Sequence, residues 1–169
     1  MKALIISDSH GLKKELLDVI ERHRDEVDVI LHCGDSELDG AASELSDVNT
    51  VRGNCDIGTD FPEEYTESFQ GFKVFVTHGH LYNVKMTYVP LSYRAEEVEA
   101  QMVCFGHSHV ATSFQENGVI YVNPGSIRLP RARKEQTYCI AEVTDDKVQL
   151  LFYDRSGEFI PDLSAVYHR

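Results

Sequence analysis

Asp8 and His10 stand two residues apart, directly after the apolar run Ala3–Ile6 near the start of the chain. In extended backbone both side chains leave on the same side. A carboxylate and an imidazole converging past a strand end can bind a metal, relay a proton or cap the next helix. The pattern then recurs. VILHCGD ends in Asp35, VRGNCD holds Asn54, VFVTHGH holds His78, and MVCFGHSH delivers His107 and His109, again two residues apart. Asp35, Asn54 and His107 each follow a glycine, which lets the backbone turn sharply. Ligands of open α/β sheets bind outside the C-terminal ends of the strands, so five apolar runs that each end in Asp, Asn or His describe one site.

The candidate ligand set is therefore Asp8, His10, Asp35, Asn54, His78, His107 and His109. It is all nitrogen and oxygen, with no thiolate. Seven donors are too many for one tetrahedral ion but suit two ions sharing a bridging carboxylate. Imidazole with carboxylate favours Mn, Fe, Co, Ni or Zn over Ca or Mg. Two such ions about 3.5–4 Å apart form a clamp for in-line displacement at phosphorus.

Alternating elements must position these groups. Lys2–Ser7 reads as a buried strand and Leu12–Arg24, with Leu12, Leu16, Leu17, Val19 and Ile20, as an amphipathic helix. Val27–His32 is the next strand, followed by a predicted helix within Glu37–Leu45 and a short strand over Val48–Arg52. Residues 53–64 read as a loop. Tyr65–Phe69 and Phe72–Thr77 form a predicted hairpin, Ala95–Gln101 the end of a helix and Met102–Phe105 a buried strand. Two more hairpins follow, Ala111–Gln115 with Val119–Val122 around Asn117-Gly118, and Gln136–Val143 with Lys147–Tyr153. Residues 154–169 read as a surface tail with partial order. The expectation is one α/β domain over residues 1–169, with stacked sheets and helices outside.

Composition narrows the partners. The hydrophobic fraction of 42 % is that of a globular chain, and no apolar run approaches the roughly 20 residues of a transmembrane helix. Residues 1–7 lack the features of a signal peptide, so a cytoplasmic location is expected. With 28 acidic residues against 16 basic, the net charge of −12 argues against duplex nucleic acid, whose binding rests on cationic contacts. A phosphate ester remains compatible where bound ions reverse the local sign. Cys33, Cys104 and Cys139 read as buried small hydrophobes.

The series DxH, GD, GN, H and GHxH, in this order from residue 8 to 109, resembles the calcineurin-like metallophosphoesterase superfamily. The chain length and the NPGS stretch (Asn123 to Ser126) resemble its short YfcE-type branch. The resemblance implies a four-layer αββα sandwich of two stacked mixed sheets flanked by helices. It implies a phosphodiesterase with two divalent ions, Mn2+ first among Ni2+, Co2+, Fe2+ and Zn2+. Carried over, Asp8, His10, Asp35 and His109 hold one ion and Asp35, Asn54, His78 and His107 the other. Many members read GNH followed by an acid, the His assisting catalysis; this chain has Cys55 there with Asp56 retained, so Asp35, Asn54, Cys55 and Asp56 form the expected catalytic group. A protein-interaction role like that of the eukaryotic retromer subunit, which has the same fold with an incomplete ligand set, is the alternative.

Other residues carry weaker signals. His80 is a candidate substrate contact. His32, inside a strand, reads as a satisfied core histidine, and His23 as a surface residue. Asn123 and Ser126 either shape a turn or support the site. Arg128, Arg131, Arg133 and Lys134 form the chain's one dense basic run. A solvated loop or a homo-oligomer contact is its plainer reading; guidance of an anionic substrate by Arg131 and Arg133 is the functional one. Tyr82, Tyr88 and Tyr93 line the cleft, pack in the core or form oligomer contacts.

Overall fold

Strand β1 (Lys2–Ile6) sends Ala3 and Ile5 to one face and Leu4 and Ile6 to the other, and all four are fully buried. A strand apolar on both faces must be covered on both. The computed structural model, which describes residues 1–169, shows what covers it. β1 lies inside a six-stranded sheet with β2 (Val29–His32), β3 (Asn49–Thr50), β9 (Thr137–Val143), β10 (Lys147–Asp154) and β11 (Ala165–His168), in the order β11-β10-β9-β1-β2-β3. The second sheet holds β4 (Glu64–Phe69), β5 (Phe72–Thr77), β6 (Met102–Cys104), β7 (Thr112–Glu116) and β8 (Val119–Asn123), in the order β4-β5-β6-β8-β7. β1, β2 and β3 run parallel, as do β5, β6 and β8; the hairpin partners are antiparallel.

Alternation along each strand divides the core into three layers. Ala3, Ile5, Leu31, Val74, Val76, Met102, Ile120 and Leu150 meet between the sheets. Leu4, Ile6, Ile30 and Ile140 face helix α1 (Lys14–His23), whose Leu16, Val19, Ile20 and His23 recur at helical spacing. Phe75, Val103 and Tyr121 face helix α2 (Val89–Glu97), which starts with a proline in its first turn and buries Leu91 and Ala95. The result is the αββα sandwich. Cys33, Cys104 and Cys139 are buried between the sheets. No helix is long and apolar enough to cross a membrane.

Four expectations need correction. The helix expected within Glu37–Leu45 is only a 3-10 turn at Ser43–Leu45. Glu37 has a φ of 52° and gives its N–H to Asp56, and the Asp39 carboxylate takes the N–H of Ala41, so these residues bond as loop rather than helix. Leu17 lies off the buried stripe of α1 and is exposed. His23 is not a surface residue: it sits seven positions after Leu16 on the buried stripe, with Nε2 against the Tyr138 hydroxyl at 2.8 Å. The tail is structured, because Asp154 turns the chain by accepting the N–H groups of Ser156 and Glu158, and β11 then pairs antiparallel with β10.

Candidate metal centre

The parallel strands end together, and the loops beyond them are stitched by their own backbone. The Asp8 N–H donates to Gly34 O and the His10 N–H to Asp35 O, both at 3.0 Å; the Gly106 N–H donates to His78 O at 3.0 Å. Asp56, 2 % exposed, ties two more loops together. One of its oxygens accepts the N–H groups of Asp35 and Gly53, the other that of Glu37. Ser126 donates its hydroxyl to Asp8 O, and Asn123 donates to Gly106 O and Ser108 Oγ, so the NPGS turn supports the Asp8 and His107 loops. The chain must approach itself closely here. A Cβ on Gly53 would fall 2.0 Å from Asp35 Oδ1, and one on Gly106 would fall 2.0 Å from Ser7 Oγ. Asp8, His10, Asp35, His107 and His109 have φ between 43° and 68°, a backbone region that side chains other than glycine seldom occupy.

Three imidazoles are oriented alike by their outer nitrogens. His78 Nδ1–H donates to Cys33 O at 2.7 Å, His109 Nδ1–H to Leu129 O at 2.7 Å, and His10 Nδ1–H to Glu37 Oε1. Each ring then turns Nε2 inward, the orientation that outer partners impose on metal-binding histidines. His10 Nε2 lies 3.1 Å from His109 Nε2, which lies 3.1 Å from Asp8 Oδ1. Asp8 is fully buried, yet this oxygen has no hydrogen-bond partner. Across the site, His78 Nε2 lies 3.2 Å from Asp35 Oδ2 and 3.1 Å from Asn54 Oδ1, with the His107 ring 5.0 Å away. Asp8, His10 and His109 converge as one group that could hold a metal ion, and Asp35, His78 and His107 as another; a third, His10, Asp35 and Cys55, overlaps both. An unpartnered buried carboxylate oxygen facing inward imidazole nitrogens is a donor set that fits a divalent cation.

Charge favours the same occupant. Burial opposes ionisation of Asp8 and Asp35, but the His109 and His78 rings beside them hold both carboxyls below the usual range. Burial disfavours charge on His78 and His109 too, and the carboxylates more than reverse this. The pocket thus draws protons to positions where metal ions would compete with them. His107 is pushed down to about 4 by burial and then by the charges of His78 and Lys85. Burial and the neighbouring Asp35 carboxylate push the Cys55 thiol up to about 11.

The remaining candidates fall at different distances. His80 packs 5.3 Å from the His78 ring, centroid to centroid, with its Nδ1 buried and unpartnered. Arg131 is joined to the site by its N–H, which donates to His109 O at 2.9 Å. Arg133 is ion-paired with Asp162 and Glu135, and Arg128 donates to His10 O. Tyr82 bonds Glu64, while Tyr88 stacks among Phe105 and Phe114. Fully buried His32 accepts the Gly34 N–H at Nδ1 and meets Ser9 Oγ at Nε2, linking two donor loops as a satisfied core histidine. Glu37 was invisible to motif reasoning; its only signal is an acid two residues after Asp35.

Known proteins resemble the chain over nearly its whole length. The chain is 47 % identical over 163 residues to the probable metallophosphoesterase YsnB of Bacillus subtilis, covering 96 % of each. A crystal structure from Streptococcus pneumoniae, described as a predicted phosphoesterase, superposes with a TM-score of 0.96 at 33 % identity, over 99 % of this chain and 97 % of that one. The fold alone is shared with a Vps29 of Entamoeba histolytica crystallised with Zn2+ (TM-score 0.74, 16 % identity, 100 % and 98 % covered). Residues 1–146 match the calcineurin-like phosphoesterase superfamily domain, and the chain belongs to that superfamily.

Proposed function

We propose that this protein hydrolyses phosphodiesters at a centre of two divalent ions, Mn2+ first among the candidates. The observation that carries the reading is the unpartnered Asp8 Oδ1 flanked by the inward Nε2 atoms of His10 and His109, with His78 Nε2 set likewise against Asp35 Oδ2 across the site. Asp8, His10, Asp35 and His109 would hold one ion; Asp35, Asn54, His78 and His107 the other. When bound, such a pair polarises phosphate oxygens and lowers the pKa of water from about 15.7 to about 7, supplying a nucleophile at neutral pH.

The chain's own residues then set direction and selectivity. Asp35 would serve both proposed ligand sets, so its carboxylate is the one both ions depend on. Asn54 is a neutral donor, so its site keeps more positive charge for the phosphate. Cys55 is a weak donor as a thiol and no donor at all as a thiolate. It therefore gives little help to a poor leaving group, which favours aryl or strained cyclic diesters over simple alkyl ones. Asp56 acts through the loops it ties, and His80 and Arg131 are the side chains proposed to meet the substrate. Arg133, held by two carboxylates, is a weaker candidate for that contact.

A screen of metal-reconstituted protein against phosphomonoesters and phosphodiesters tests the reading. Diester hydrolysis with two ions per chain is expected, and Asp35→Ala should lose both ions and the activity. Two bound ions with no ester hydrolysed would overturn it and favour the scaffold role.

A further inference from the structure

A cavity of about 780 Å3 opens beside the proposed centre, walled by the loops that carry Asp35 and Asn54. It shares Glu37 and Cys55 with the site, and Ile57 and Phe61 give it an apolar side. Ile57 is 90 % exposed there, an apolar side chain offered to the solvent-filled space. Every ionisable side chain of opposite sign is missing: the walls hold Glu37, Asp39, Asp56 and Asp60 and no Lys, Arg or His. Two of these carboxylates are committed. Asp56 accepts backbone N–H groups, and Glu37 accepts from His10. Asp39 uses one oxygen on Ala41 N–H, and Asp60 has no cationic partner, so two carboxylates face the cavity with their charge unneutralised.

We propose that this cavity receives one alcohol arm of the phosphodiester, and that the arm it selects carries a protonated amine; this rests on the phosphodiesterase reading above. An ammonium gains from Asp39 and Asp60 while its methylenes lie along Ile57 and Phe61. A carboxylate arm of equal length meets repulsion instead. Pairs this exposed are modest: each is worth at most about fivefold, and two together about two- to tenfold at low salt. The preference should fade as salt approaches about 0.1 M, where the screening length is about 10 Å.

The test uses nitrophenyl phosphodiesters whose second alcohol is aminopropyl, propyl or carboxypropyl, together with the corresponding hydrolysis-resistant phosphonates. Wild type should prefer amine over propyl over carboxylate, by about two- to tenfold per step, in kcat/KM and in Kd for the phosphonates. Asp39→Asn with Asp60→Asn should level that order and leave the propyl ester unchanged. Esters hydrolysed alike with a flat series of Kd values would overturn the cavity assignment alone. An intact order of Kd values with no hydrolysis would overturn the phosphodiesterase reading and leave the cavity assignment standing. An order that survives in the double variant would also refute it.

Discussion

Glu37→Gln isolates what an outer carboxylate contributes to one ion. Glu37 holds the His10 ring by accepting its Nδ1–H, and it is itself fixed by donating its backbone N–H to Asp56 at 2.8 Å. Glutamine keeps the volume and an acceptor oxygen but removes the charge, which roughly halves the strength of such a bond. Loss of an outer partner typically weakens metal affinity about 10–100-fold. The Glu37 side chain is 42 % exposed, so solvent screens part of the effect and about tenfold, or 1.4 kcal/mol, is expected. Glu37→Ala, which also frees the ring, should approach the upper end of that range. Calorimetric titration of the metal-free protein with Mn2+ resolves the two ions. Only the ion that uses His10 should weaken, because His78 is held by Cys33 O and is indifferent to Glu37. Equal weakening of both ions, or no change with Ala, would refute the inference that Glu37 orients His10.

Gly53→Ala should fold with a loss of about 1–3 kcal/mol in thermal or urea unfolding and bind fewer than two ions, since the new Cβ would overlap Asp35 Oδ1. Burial pushes the His32 pKa down to about 4 from an ordinary 6.5; the unfolded chain binds the extra proton between those values, so this stabilisation is complete above pH 6.5 and lost as pH falls towards 4. At about 1.4 kcal/mol per pH unit the loss is capped at about 3 kcal/mol, and urea unfolding of His32→Asn across that window should show a shallower decline than wild type. Arg131→Ala should raise KM and reduce its salt dependence with kcat nearly unchanged, whereas Arg133→Ala, which breaks the pair with Asp162, should leave KM alone.

The side chains gathered at the proposed centre were legible because each announces itself twice, by type and by its place after an apolar run. Strand alternation on both faces likewise foretells a sheet covered on both sides, and the paired layers follow. The 37–45 segment misleads because its apolar spacing suits a helix, while the Asp56 bonds that hold it open come from a loop 19 residues away. His23 could have been read from its helical spacing, had histidine been allowed as a core residue with a hydroxyl partner. Glu37 and the acid-walled cavity were illegible for a different reason. Both arise from two loops meeting, and neither loop alone contains the pattern.

Left-handed backbone at five donors has a consequence for how this chain can change. Each such residue costs about 1–2 kcal/mol, so Asp8, His10, Asp35, His107 and His109 together set aside an amount comparable with the 5–15 kcal/mol by which a typical domain is stable at all. Metal binding returns part of it by mass action. Without metal, glycine or asparagine at these positions relaxes the chain and is favoured by stability alone. Laboratory evolution that rewards heat resistance in chelator should therefore dismantle the centre first, and the substitutions it accumulates would mark the strained positions without any measurement of activity.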